Sequence, residues 1–418
     1  MSAQSPAVQS SSPGLLPQVG VGLVGAGFLA ETRARCYARA HGVHASLRAV
    51  TSARPERARD FAGRHGVGAV CASLEELLGR GDVDVVDLCV PNHLHRPFTE
   101  AAAAAGKHVV CTKPLAAYVG QDLGPDCSDA EVSAVPRREM LAQASADADA
   151  MVAACKAAGV HLAYGENWVY APTIVRATEL VLASEGAVLE MRGWEGHSGS
   201  HSPYSKLWRH TGGGALLRLG AHPIGAMLHI KQLEGLARGG APIRPVSVTA
   251  EVADLAPAAL AAAERGPRSA SHVATGWVDV ENWGCAVIAF EDGTRAVAYG
   301  SDVLLGGMQS RLDVFGSNHR FECNLSPHDQ LRGYAPNNEV LDGEYVMEKA
   351  GTAAGWNTFL PAEDESSGHA AMCRDFALAV AEGRAPRASG DLGAEVTRVV
   401  YAAYVAADEG RRIVLADL

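Results

Sequence analysis

Hydrophobic and polar positions follow two different patterns along this chain, and the change falls near residue 165. Before it, short apolar runs alternate with stretches whose apolar positions recur every three or four residues. "VGVGLVGAGFLAETRARCYARAHG" opens the series: an apolar run ends in Gly25-Ala26-Gly27-Phe28-Leu29-Ala30, and a helical pattern with Arg33 and Tyr37 follows. "LRAVTSARPERARDFAGRHG" reads as strand, turn and helix. "SLEELLGRGDVDVVDLCVPNHLH" reads as a helix and then a buried strand. An Ala-rich helix at 97–105, the strand "KHVVCTKP", a helix near 145–158 and "GVHLAYGENW" complete the set. Strands alternating with helices are βαβ units around a parallel sheet. The pattern predicts an α/β fold with one doubly wound domain over residues 18–165.

One segment departs from this pattern. Residues 118–141, "YVGQDLGPDCSDAEVSAVPRREML", are polar, carry Gly124-Pro125 and separate Lys113 from the next helix, so they are expected to be an insertion loop: a surface feature or a lid. Beyond 165, "PVSVTAEVADL", "WGCAVIAFEDGTRAVAYGSDV" and "RLDVFGSNHRFECN" alternate with period two, "EDGT" being a hairpin turn. A helical pattern, "EVTRVVYAAYVAADEGRR", closes the chain. Residues 166–418 are therefore expected to form an α+β domain around a mostly antiparallel sheet. Residues 1–17, rich in Ser and Pro, read as a disordered tail.

Composition narrows the partners. The net charge is -11 and no block of Lys or Arg is long enough to track a phosphate backbone, which argues against nucleic acid and anionic membrane surfaces. The nine Cys form no C-x-x-C pair, and the start lacks the basic and apolar regions of a signal peptide. Both point to reduced thiols in a cytoplasmic protein. No apolar run approaches membrane-spanning length.

The glycine turn carries the first chemistry. G-x-G-x-x-A after a strand and at the opening of a helix is the context of a dinucleotide site. Gly25 permits the tight turn, Gly27 lets the backbone approach a pyrophosphate, and Ala30 allows close helix–strand packing, with Phe28 and Leu29 between them. The helix N-terminus adds unpaired N–H groups and a partial positive charge. About 20 residues on, where a carboxylate would bond the ribose 2′-hydroxyl, stand Thr51-Ser52-Ala53-Arg54, with Arg57 just after. Ser52, Arg54 and Arg57 would accept a 2′-phosphate, so the cofactor is read as NAD(P), with NADP favoured over NAD.

At "CTKP" the chain becomes similar to the Gfo/Idh/MocA family of nicotinamide-dependent oxidoreductases. "GLVGAGFLA", "CVPNHLH", "GKHVVCTKPLA", "YGENWVYAP" and "LWRHTGGGALLRLGAHPI" carry the resemblance in order. It implies a Rossmann domain, an open sheet domain over residues 166–418 that takes the substrate and makes a homodimer or homotetramer, and a sugar, polyol or related small molecule as substrate. It makes Lys113 catalytic, with Thr112 where the family has Glu. His222 matches the acid/base His of the D-x-G-x-H motif, and the motif's Asp falls on Arg218. The resemblance also implies cofactor contacts for Pro91, Asn92, His95, Glu166, Asn167 and Arg209, and substrate contacts for Trp168 and Tyr170; separately, "GHSGSHSPY", 196–204, is rich in hydroxyls and His and reads either as a sugar-contacting loop that offers His201 or as an ordinary polar loop. No metal site is expected: His93 and His95 would share a face of an extended segment, but without a third ligand at suitable spacing.

Arg218 is the departure to explain. If residues 218–222 are α-helical, guanidinium and imidazole share a face. Arg218 would then keep His222 neutral and lower the pKa of Lys113, leaving Lys113 as the proton carrier and His222 secondary. Two other roles fit equally: clamping a substrate carboxylate or phosphate, or pointing away, since Pro223 disturbs regular geometry. Three functions follow. The first is net hydride transfer to or from a hydroxyl or carbonyl carbon. The second is a redox-neutral lyase, epimerase or glycosidase that oxidises its substrate transiently. The third is a nucleotide-sensing regulator without catalysis.

Overall fold

The computed structural model describes residues 16–124, 126–200, 202–344, 346 and 352–418. His201 and nearly all of the expected tail lie outside them. The first apolar run is β1 (Gln18–Val24), buried from Val19 onward. It leads through α1 (Phe28–Ala38) to β2 (His44–Thr51), then α2 (Pro55–His65), β3 (Ala69–Val70), α3 (Leu74–Leu78), β4 (Val85–Leu88), α4 (His95–Ala104) and β5 (His108–Thr112). The six strands, with β6 (Leu162–Gly165) last, lie in the order β3-β2-β1-β4-β5-β6, and every pair is parallel. The order reverses at β1, whose carboxyl end therefore borders a crevice where such sheets bind ligands.

The described residues of 118–141 form a surface segment pinned by buried anchors: most from 121 to 139 are exposed. Tyr118, Val119 and Val132 are buried, α5 (Asp129–Ala134) carries a capping box of Ser128 and Glu131, and α6 (Arg137–Ala157) begins eight residues earlier than the sequence pattern suggested. The S-x-x-E signal and the apolar plugs outweigh the polar average. "PNHLH" also differs from expectation: Asn92–Leu94 form a 3-10 turn and His95 opens α4, so His93 and His95 do not line one extended face.

The second sheet follows α7 (Pro172–Ser184) and starts with β7 (Val188–Gly196), a strand not read from the sequence. Its Glu190, Arg192 and two glycines are poor strand residues, and tertiary pairing overrides them. After α8 (Trp208–Thr211) and α9 (Ala221–Gly239) come β8 (Pro245–Ala253), α10 (Ala256–Ala263), β9 (Trp283–Phe290), β10 (Arg295–Ser301), β11 (Gln309–Gly316) and β12 (Arg320–Asn324). A separate two-stranded sheet joins β13 (Arg332–Ala335) to β14 (Gly355–Thr358). The large sheet runs β12-β11-β7-β10-β9-β8-β15, closing with β15 (Ile413–Val414); only β7 and β10 pair in parallel.

After α11 (Glu363–Ser366), the chain returns to the first sheet. There α12 (His369–Glu382) packs on α1, and α13 (Gly390–Glu409) packs along α6. Tyr164 N–H donates to the Ala388 carbonyl at 2.8 Å, tying this return to β6. One continuous apolar cluster joins both sheets, which holds the ends of β1, β5 and β6 rigidly against α9.

Candidate active site

The nucleotide edge is built locally. Gly25 has φ +109°, and a Cβ there would lie 2.2 Å from the Cys89 carbonyl at the end of β4, so only glycine fits the crossing. Gly27 meets nothing within 4 Å and caps α1 with no side-chain bond, leaving the helix N–H groups open to an anion. Phe28 stands exposed beside them, while Ala30 is fully buried. Below the turn, buried Arg33 pairs with Asp87 at 3.5 Å, and Tyr37 donates to the same carboxylate at 2.9 Å, which pins α1 to β4. At the end of β2, Ser52 Oγ accepts from Arg54 N–H at 3.3 Å. Arg54 and Arg57 are exposed, with no carboxylate paired to either among the described residues. This cradle fits a dinucleotide.

The chemical groups converge from four distant segments. Lys113, just past β5, donates from Nζ to the main-chain carbonyl of Arg218. His222 lies in the first turn of α9, and its Nδ1 is 2.7 Å from Glu166 Oε1 at the end of β6. Its Nε2 is 3.8 Å from Glu195 Oε1 near the end of β7. Trp168 stacks on the imidazole at 6.2 Å and donates from Nε1 to Glu195 at 3.0 Å, so it sets both groups. Gly225 supplies the space: a Cβ there would be 2.9 Å from Glu166 Cγ.

Burial dominates the electrostatics here. It pushes Glu166 up to about 8, against the opposing effects of the Trp168 N–H bond and the Lys113 charge. It pushes His222 down to about 4, with Glu195 raising and Lys113 further lowering it. Near neutral pH a protonated Glu166 therefore donates to Nδ1 of a neutral imidazole, which fixes the proton on Nε2. The pair acts as one acid that becomes a base when it loses its proton near pH 8. Glu166 supplies the carboxylate that the resemblance placed at position 218.

Arg218 is turned elsewhere. Residues 216–220 form a π-helical turn, whose i→i+5 bonding removes the expected i,i+4 pairing with His222. The guanidinium pairs instead with Asp302, fully buried just after β10, and its Cζ lies 5.4 Å from the Trp277 ring centre. The charges acting on His222 are those of Glu195 and Lys113. The glycine run before the turn wraps a second buried carboxylate: Glu281 accepts from Gly214 and Leu216 N–H, each at 3.0 Å, and from the Tyr404 hydroxyl at 2.7 Å.

Several expected contacts are revised. His95 is fully buried, with its ring nitrogens against the Val90, Pro114 and Leu115 carbonyls; it braces the loops around Lys113. Arg209 is committed to Asp129 and the Cys127 carbonyl, clasping the 118–141 segment. Tyr170 donates to Asp375 and accepts from Ala388 N–H, both at 2.9 Å, within the core. Asn167 donates to the Ser367 carbonyl at 2.7 Å, Glu166 serves His222, and Asn92 donates to the Thr211 carbonyl at 2.9 Å, a strut between the two sheets' loops. Pro91 is exposed at the start of that turn. Sequence reasoning missed Glu195, Asp302 and His369. The first two stand at strand ends, the one signal that could have found them. His369 opens α12; burial pushes its ring down to about 3, with Arg33, His222 and Lys113 adding to the effect.

Comparison with known proteins gives this arrangement a lineage. Residues 19–122 match the family described as "Oxidoreductase family, NAD-binding Rossmann fold", and residues 181–322 match the GFO/IDH/MocA C-terminal domain. The chain belongs to the Gfo/Idh/MocA family. Levoglucosan dehydrogenase of Pseudarthrobacter phenanthrenivorans is 35% identical over 107 residues, 24% of this chain and 27% of that protein. D-xylose 1-dehydrogenase (NADP(+)) 2 of Haloferax volcanii is 32% identical over 144 residues, 34% of this chain and 36% of that protein. These matches thus span only about a quarter to a third of each curated relative. Among solved structures, GenD2 from gentamicin A biosynthesis in complex with NAD superposes with a TM-score of 0.74 at 25% identity, covering 98% of this chain and 99% of that one. Within this Gfo/Idh/MocA chain, no described helix is long and apolar enough to cross a membrane, and all nine cysteines are free.

Proposed function

We propose that this protein is an NAD(P)-dependent oxidoreductase acting on a CH–OH group of a sugar or polyol. The observation that carries the reading is the convergence of Lys113, His222 and Glu166 beside a glycine cradle shaped for a dinucleotide. When bound, the nicotinamide supplies the hydride acceptor. The protein's task is the hydroxyl proton. Lys113 Nζ is one group able to take it; His222 Nε2 is the other, once the Glu166–His222 pair has lost its proton and Glu166 accepts from Nδ1–H. Trp168 holds the imidazole plane, and the burial of Glu166 and His222 limits water at the pair. Relatives named for levoglucosan, 1,5-anhydro-D-fructose and D-xylose support a small carbohydrate substrate. NADP is favoured over NAD because Ser52, Arg54 and Arg57 stand where a carboxylate would repel a 2′-phosphate. The nine free thiols support a cytoplasmic setting, and the large mixed sheet supports a homo-oligomer.

The test is the nicotinamide absorbance of the purified protein with NADP or NAD and a panel of anhydrosugars, pentoses and polyols. Net reduction with at least one is expected. A changed carbohydrate without net change in absorbance would move the reading to redox-neutral chemistry, and no change in either would retire catalysis.

A further inference from the structure

We propose that the cavity between α1, α2 and the start of β2 is a second ligand site, which takes a small organic molecule carrying two phosphate groups. The cavity measures about 750 Å³ and is lined by five arginines, Arg35, Arg39, Arg48, Arg64 and Arg80, against one carboxylate, Asp82. This concentration of cations occurs in a chain of net charge -11. The side chains of Arg35, Arg39, Arg64 and Arg80 are between 31% and 60% exposed, so a dissolved anion reaches them. The site is separate from the nucleotide cradle. Arg54 caps the N-terminus of α2 at the cradle edge, whereas Arg64 stands in the last turn of the same helix. With 11 residues, the two ends of α2 lie about 16 Å apart.

The arginines have partners that do not saturate them. Arg35 and Arg39 share Asp364 at 3.3 and 3.8 Å, Arg64 pairs with Glu31 and with Asp60 at 3.2 Å, and Arg80 pairs with Asp82 at 2.8 Å. Each pair reaches solvent on its arginine side, where an ion pair holds little free energy, and each guanidinium has five N–H donors to share. A phosphate dianion can therefore join or displace a carboxylate. Arg35 and Arg64 also offset the partial negative charge at their helix ends. Arg48 has neither role: it lies within β2, makes no hydrogen bond or ion pair among the described residues, and acts on Asp82 through space. The ligand class follows from the arrangement. Arg35 and Arg39 stand at the end of α1 and Arg64 at the end of α2, so positive charge faces the cavity from two sides. A phosphate carries about two negative charges and three acceptor oxygens, which guanidiniums meet from several directions, whereas a planar carboxylate meets one fork. The volume is that of a small-molecule site. Between the charged groups the lining includes Ala38, Ala45 and Leu47, which suits the uncharged body that joins the two phosphates.

The experiment saturates the cradle with reduced nucleotide, so that phosphate cannot enter there. It then titrates D-glucose 1,6-bisphosphate, inorganic pyrophosphate and D-glucose by calorimetry at low ionic strength. Wild type is expected to bind one equivalent of the bisphosphate, roughly tenfold or more tightly than pyrophosphate, and D-glucose should not displace it. Arg48→Ala should weaken the bisphosphate roughly tenfold or more. Arg39→Ala, at an exposed side chain, should weaken it to a similar degree and remains informative if Arg48→Ala fails to fold. Arg192→Ala removes an exposed arginine from β7 and should change the affinity by less than about twofold. Displacement by D-glucose would put the bisphosphate in the substrate pocket, and equal or tighter binding of pyrophosphate would leave no part for an organic body. Either of these, no saturable binding of the bisphosphate, or losses in Arg39→Ala and Arg48→Ala no larger than in Arg192→Ala would overturn the proposal.

Discussion

The turn after β1 and the cluster around His222 are built on opposite plans. Six consecutive residues, Gly25 to Ala30, make the first, and from outside it meets the Cys89 carbonyl and a hydrogen bond from Gly25 N–H to the Thr51 carbonyl at 2.8 Å. The second takes Lys113, Glu166, Glu195, Arg218 and His222 from positions up to 109 residues apart in the chain, counting from Lys113 to His222. A local site is specified by turn chemistry, so its residues cannot be exchanged for others elsewhere. An assembled site is specified by what reaches a point in space. A carboxylate from β6 can therefore do the work expected of one on the helix, and the helix position is released for an arginine. The comparison teaches that a motif departure in an assembled site calls for a search for a substitute group before loss of function is inferred.

Substitutions can break this contrast. Lys113→Ala should lower kcat/KM roughly 1,000-fold, within the usual range for a proton-transfer group. Its nucleotide affinity should change by less than about twofold, because the cradle is separate; a matching loss of nucleotide binding would erase the distinction between the two sites. His222→Ala should cost roughly 100-fold or more. The sequence alone suggested a mild effect, for want of a partner carboxylate, and Glu166 reverses that expectation. A loss below about tenfold would show that the Glu166–His222 pair does not carry protons.

Gly25→Ala should weaken nucleotide binding by at least roughly tenfold, about 1.4 kcal/mol, through the clash with Cys89 and a backbone conformation that resists a side chain. Glu166→Gln sharpens the other side through pH. Oxidation by wild type should rise with pH through about 8 as the pair becomes a base, and the Gln variant should lose that rise. Stability moves oppositely. The folded pKa of Glu166 is raised, so the unfolded chain releases its proton first, and wild-type Tm should fall between about pH 4.5 and 8 from this group. The Gln variant should lack that component. A Glu166→Gln activity profile identical to wild type would assign the proton elsewhere. The smallest effect belongs to Ser52→Asp, which should shift the NADP/NAD preference towards NAD by roughly tenfold.

The sequence by itself determined the parallel sheet, the glycine cradle, the hairpin of β9 and β10, and Lys113 and His222 as the residues to watch. Each of these is written in neighbouring residues: alternation periods, a turn that only glycine makes, a strand followed by its own helix. Tertiary structure alone decided the partners. Glu166 was legible as a strand-end acid, and its role on His222 was not, because α9 reaches it only when the two sheets pack. The same packing turned Arg209, His95 and Tyr170 into braces, by giving each a buried carbonyl or carboxylate that no local pattern announces. It also set the π-helical turn that carries Arg218 away from His222 and onto Asp302. Hydrogen bonds and ion pairs are short-ranged, so which of them form depends on which strand ends meet, and that is a property of the packed sheets.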